Sequence, residues 1–209
     1  MKCKLLVCVF ILSFQFTHSQ KKKYYLDEYS KQITKKEFNN FDNSHLKYLK
    51  LSYENDTAKI NKIERRELRG KLDEEKYHAI IRFLAKKDSK IVDSTKTIII
   101  NYYPGADQCN STGNNYYLMN LYKDYLKDVD ALKNVNQYFF YKSDDGLDFF
   151  KELNWLSDDK KIMELLFFPL HYPCHSYAII FPKGGFYVYK GEYYLPEILN
   201  KLKSPELSK

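Results

Sequence analysis

The chain has 209 residues, a formal net charge of +7 and 17% aromatic residues. That length supports one domain with a real core plus a smaller appendage. The lysines are interspersed with Asp and Glu, and the one basic cluster is Lys21-Lys22-Lys23. The charge therefore reads as a solvated lysine-rich surface and gives no footprint for nucleic acid.

Residues 1–19 have the layout of a secretory signal. Lys2 and Lys4 precede a short apolar run, Leu5 to Phe16, and Thr17-His18-Ser19 places small residues before a cut at Gln20. The run is shorter than the ~20 residues of a membrane span. Cys8 lacks the small preceding residues of a lipid-anchor signal. The expectation is an exported protein, periplasmic or secreted, with no membrane span after signal removal. Cys3 and Cys8 leave with the signal, and Cys109 and Cys174 remain. An even number of thiols in an oxidising compartment permits pairing.

Residues 20–45 are polar, with isolated aromatics, and predict a loosely ordered or extended lead-in. Residues 46–69 predict a β-hairpin: Leu49, Leu51 and Tyr53 alternate with polar residues, Asn55-Asp56 turns the chain, and Ala58, Ile60 and Ile63 resume. Gly70 punctuates. Asp73 then caps a helix whose Tyr77, Ile80, Ile81 and Leu84 fall at i, i+3, i+4 and i+7. This hairpin and helix form an N-terminal extension, residues 20–95.

From Lys96 the pattern changes. Thr97–Tyr103 is a continuous apolar strand, the kind buried on both sheet faces with parallel pairing. Leu118, Leu121, Tyr122, Tyr125, Val129 and Leu132 mark a long amphipathic helix. Gln137–Tyr141 is a second aromatic strand. Asp145–Trp155 reads as helical, and Ser157 as the cap of a further helix through Phe167, ended by Pro169. Tyr177–Phe181, a Lys183-Gly184-Gly185 turn and Phe186–Tyr189 form a hairpin, and Leu195, Ile198, Leu199 and Leu202 a closing helix. Neither an internal repeat nor a low-complexity linker is present. The βα alternation followed by a hairpin implies an α/β fold with a mixed sheet flanked by helices.

Two segments then carry a resemblance: Lys96–Cys109 (KTIIINYYPGADQC) and Ser176–Leu202 (SYAIIFPKGGFYVYKGEYYLPEILNKL). A buried strand runs through Tyr102-Tyr103 and a Pro104-Gly105 turn to a cysteine at a helix mouth. A terminal hairpin, a glycine and a helix follow. The chain resembles the exported bacterial branch of the thioredoxin-like superfamily over roughly residues 96–203, about half its length, which implies a thioredoxin-like domain at 96–209. It departs from that family at two places. The first cysteine of the family's Cys-x-x-Cys falls on Ala106, leaving Ala106-Asp107-Gln108-Cys109. The position of the family's cis-proline falls on Ser176, and a Ser peptide bond is trans; Pro173 takes that role only in a shifted register.

The resemblance places His171-Tyr172-Pro173-Cys174-His175 opposite the Cys109 turn. It thereby implies that Cys109 and Cys174 meet across the former active site. Three readings of the pair stay open. A permanent disulfide makes the domain a non-catalytic binding or structural module for an unknown protein partner in the cell envelope. A cycling pair makes it a thiol–disulfide oxidoreductase, with Cys109 and Cys174 catalytic and the thiolates favoured by a helix N-terminus and by His171 and His175. Free thiols, with His171, Cys174, His175 and Cys109 as N/S ligands, make a copper or zinc carrier. No cofactor is expected. Tyr-Pro-Cys-His lacks the first cysteine of a haem-attachment motif. Ala106 stands where a peroxiredoxin has its threonine, which argues against peroxidase chemistry. Asn55-Asp56-Thr57 and Asn110-Ser111-Thr112 match the glycosylation pattern. The chain has no Gly-rich phosphate loop and no Gly-x-Ser-x-Gly.

Overall fold

The structure is a computed structural model that describes residues 21–89, 91–111 and 115–204. The signal-like segment, with Cys3 and Cys8, lies outside the described residues. The described chain is mixed α/β, with two sheets and five α-helices.

A small sheet comes first. Strands β2 (Tyr48–Glu54) and β3 (Ala58–Arg65) form the expected antiparallel hairpin. The Asn55 carboxamide accepts from the amides of Thr57 and Ala58 and closes its turn. The lead-in departs from expectation. It contains β1 (Lys22–Leu26), parallel to β3, and a short helix α1 (Lys35–Asn40). Local chemistry accounts for both. Thr34 and Glu37 make a capping box, each side chain accepting the other's amide. Asn61 on β3 donates to the Tyr24 carbonyl across the sheet.

The larger sheet has six strands in the order β4-β9-β8-β5-β6-β7. Its members are β4 (Glu67–Lys71), β5 (Thr97–Tyr103), β6 (Val135–Tyr141), β7 (Trp155–Ser157), β8 (Ser176–Ile180) and β9 (Gly185–Tyr189). β5 is central. It pairs in parallel with β6 and antiparallel with β8, and β8–β9 is the expected hairpin. β4 extends the sheet at the β9 edge. Strand-period alternation sorts the side chains of β5 into two cores. Ile98, Ile100 and Tyr102 pack with helices α2 (Glu74–Asp88) and α4 (Ile162–Phe167), through Ile80, Phe83, Leu84, Met163 and Phe167. Ile99 packs on the opposite face, under helices α3 (Asn115–Leu132) and α5 (Glu197–Leu202), through Tyr122, Tyr125, Val129, Ile198 and Leu199. β4 and α2, from the segment before residue 96, thus belong to the layers of this sheet. Leu49 and Leu51 of the small sheet join its first core.

Two helix expectations are corrected. Residues 145–155 hold only one turn of 3₁₀ helix, Asp148–Phe150, before Trp155 enters β7. The apolar spacing of exactly three, Leu147-Phe150-Leu153, belongs to three-residue turns. The Phe150 amide bonds to the Leu147 carbonyl at 2.8 Å and the Leu153 amide to that of Phe150 at 3.0 Å. Ser157 lies within β7 and caps nothing. Its neighbour Asp158, buried, accepts the amides of Ile162 (2.8 Å), Met163 (3.3 Å) and Glu164 (2.8 Å) at the start of α4.

The small sheet is joined to the large one by a buried polar seam. Lys190, after β9, pairs with Glu64 of β3, and Lys62 reaches the other Glu64 oxygen at 2.9 Å. Arg66 donates to the carbonyls of Lys190 (3.2 Å) and Glu192 (3.5 Å). Gly191 between them has φ +79°, and a Cβ there would meet Arg66 Nη1 at 3.0 Å and Leu49 at 3.2 Å. Glycine is required at this close approach. The seam places residues 190–192 beside the start of β8, where the Gly191 amide donates to Ser176 Oγ at 3.1 Å.

Candidate functional site, a bridged pair of loops

Two loops meet at the ends of β5 and β8. The first follows β5, through Pro104 and Gly105 to a turn containing Cys109. The second is His171–His175, before β8. Cys109 and Cys174 are at disulfide-bonding distance, with Cα atoms 5.1 Å apart across 65 residues of sequence. Cys174 is buried, Cys109 is half-buried, and Cys174 has φ +65°. The described residues contain no cis peptide bond, so Pro173 and Ser176 are both trans. Ser176 sits buried within β8.

The centre of the site is a residue that the sequence reading passed over. Asp107 Oδ1 accepts the amides of Cys109 (2.8 Å) and Asn110 (2.9 Å). Its Oδ2 accepts the amide of Cys174 (2.9 Å) and faces His171 Nε2 at 3.0 Å. Asn110 completes the latch. Its Oδ1 accepts the Asp107 amide, and its Nδ2 donates to the carbonyls of Gly105 and Cys174, each at 2.9 Å. Burial works against the Asp107 carboxylate. The amide of Asn110, His171 and the amides of Cys174 and Cys109 outweigh it and hold its carboxyl below the usual carboxylate range. The signal in the sequence was Asp-x-x-Asn, the residue types that build Asx turns. Nothing local announced that the same carboxylate would reach residue 174.

The expected thiolate-favouring surroundings are corrected. Cys109 lies in a turn upstream of α3, which is described from Asn115. His175 packs edge-on against Tyr193, ring centroids 4.8 Å apart. Burial pushes its imidazole down to about 4, against the opposing pull of Asp107, so it is neutral at pH 7. It brings no positive charge to either sulfur. His171 is spent on Asp107. The carboxylate of Glu192 is the remaining neighbour. Its oxygen and the two sulfurs all lie within 4.8 Å of one another. His171 and His175 are not part of that group. A shallow open cavity of about 420 Å³ lies over Cys109, lined by Asp107, Gln108, Cys109, His171 and Pro173.

Comparison of the chain with protein-family models, with curated proteins and with solved structures finds no match. The resemblance to the thioredoxin-like superfamily therefore rests on this chain's own residues and element order. Among the described residues, no helix is long and apolar enough to cross a membrane.

The neutral His175 predicts an acid-labile site. Its folded-state pKa lies below the unfolded value of 6.5, so the native state binds fewer protons than the unfolded chain between those values. The stability it contributes is complete above pH 6.5 and is lost as pH falls toward 4. Unfolding free energies from urea titrations at pH 7 and pH 4.5 should differ by about 2 kcal/mol from this group. His175→Gln should flatten that slope. Asp107 adds a loss of the same sign at lower pH, because its depressed carboxyl must protonate below the unfolded value of 3.8.

Proposed function

We propose that this chain is an exported, degenerate thioredoxin-like domain that serves as a non-catalytic binding or structural module, with Cys109–Cys174 as a permanent staple. The carrying observation is the Asp107–Asn110 latch. It ties the two loops together through two hydrogen bonds to the backbone of Cys174 and braces the first loop through three more, to backbone groups of residues 105, 109 and 110, none of them involving a sulfur. A site built for thiol exchange surrounds its attacking sulfur with positive potential. Here the Glu192 carboxylate lies within 4.8 Å of both sulfurs, which disfavours a thiolate. The element order β5-α3-β6, then α4, then the β8–β9 hairpin and α5 supports the thioredoxin-like reading. Ala106 removes the family's attacking thiol. The bridge and the signal-like residues 1–19 support export to an oxidising compartment. The partner is a protein of the cell envelope, met at the rim of the bridged loops.

One observation favours a second reading, thiol–disulfide exchange. Cys109 borders an open cavity, while Cys174 is buried. An incoming thiolate would attack Cys109 Sγ and expel the Cys174 thiolate. The reduction potential of the purified protein separates the two. A staple is expected below about −300 mV, with no insulin reduction. A potential near those of exchange catalysts, about −120 to −270 mV, with activity lost in Cys174→Ser, would overturn the module reading.

A further inference from the structure

We propose that the reduced chain binds a zinc ion through Cys109, Cys174 and Glu192, so that disulfide and metal are alternative occupants of one site. This ligand set differs from the histidine-containing set expected from sequence, and it does not depend on the partner-binding reading.

Three features carry it. The first is convergence. Two sulfurs and a carboxylate oxygen lie within 4.8 Å of one another although they come from three separate segments. Tetrahedral zinc, with Zn–S of about 2.3 Å and Zn–O of about 2.0–2.2 Å, needs such atoms about 3.5–3.8 Å apart. Side-chain rotation after reduction covers that difference. The second is preorganisation. Asp107 and Asn110 hold the backbone of residues 109, 110 and 174 without help from the S–S bond. Arg66 and Ser176 hold the backbone on which Glu192 stands. Reduction therefore leaves the three ligands facing one another. The third is charge and access. With the bridge reduced, the two sulfurs face the Glu192 carboxylate, and a divalent cation among the three favours the thiolate over the thiol. The cavity over Cys109 gives an ion and its remaining water ligand an open approach.

The chemistry balances. Reduction adds two electrons and two protons to the S–S bond and gives two thiols. A phosphine reductant supplies the electrons and leaves as the phosphine oxide, its oxygen taken from water; in a cell a dithiol would serve and become a disulfide. Zinc then displaces both thiol protons.

The test uses the full chain carrying Cys3→Ser and Cys8→Ser, so that only this pair is scored. Oxidised and phosphine-reduced protein are titrated with zinc chloride against a chromophoric chelator. Proton release and the thiolate-to-metal absorption of the cobalt-substituted form are recorded alongside. The expected result is an equimolar ion in the reduced protein and none in the oxidised protein, with two protons released per ion. Glu192 is exposed, so Glu192→Gln should fold normally. It should weaken binding at least tenfold, roughly the least that loss of even an outer-sphere partner costs. His171→Ala should leave the affinity within about twofold. Failure of the reduced wild-type protein to bind, loss of its near-ultraviolet circular dichroism on reduction, equal binding by the oxidised protein, or an unchanged affinity in Glu192→Gln would each overturn the proposal.

Discussion

Cys109→Ala combined with Cys174→Ala is expected to lower the stability of the folded chain by about 4 kcal/mol. The bridge closes a loop across 65 residues of sequence. In the chain-entropy treatment, a cross-link over such a loop removes about 4 kcal/mol of conformational freedom from the unfolded ensemble. The folded state loses little, because the Asp107–Asn110 latch keeps both loops in place. The effect should therefore appear as a shifted urea midpoint in non-reducing buffer, with the circular dichroism of the native state preserved. The wild-type protein in excess reductant should approach the variant's midpoint. A midpoint unchanged by either treatment would mean that the bridge is not formed in solution.

Asp107→Ala is expected to cost about 3 kcal/mol even with the bridge intact. The substitution leaves the amides of Cys109, Asn110 and Cys174 without their acceptor and removes the partner of His171. Hydrogen bonds to a charged group contribute about 1.5–3 kcal/mol each when buried, and partial solvent access here reduces that. Asp107→Asn keeps one acceptor oxygen but presents an amide to the Cys174 N–H and to His171. It should lose about half as much. Hydrogen exchange at residues 109, 110 and 174 reports the cause directly: those amides should lose protection in Asp107→Ala while β5 and β8 keep theirs. Removing both the latch and the bridge should exceed the sum of the single losses, since each holds the loops when the other is gone.

The strands and main helices of this chain were legible because their side chains carry a period. Ile98 and Ile100 face one core and Ile99 the other, as an unbroken apolar strand must when both sheet faces are covered. Tyr77, Ile80 and Leu84 gave α2, and Asp73 its start, by local chemistry alone. The misreadings occurred where two periods look alike over a short stretch. A spacing of three in Leu147-Phe150-Leu153 fits one face of a helix and also successive three-residue turns, and only the hydrogen-bonding distinguishes them. The strand at Lys22–Leu26 was missed because its pairing partner, β3, lies some 36 residues downstream, with Lys22 opposite Ala58.

In the site, the two cysteines were visible as residue types. Their meeting was anticipated only through a resemblance. Glu192 and Asp107 were not anticipated, because a carboxylate next to a cysteine in space leaves no mark on sequence spacing. The amino-acid sequence by itself determined which segments become strands and helices, since side-chain period and capping act within a few residues of the chain. Only the tertiary structure decided that residues 107, 109, 171, 174 and 192 share one site. Strand order and the buried Lys190–Glu64 seam fold three remote segments onto the same end of the sheet, and contacts of that kind depend on global packing with no local signature.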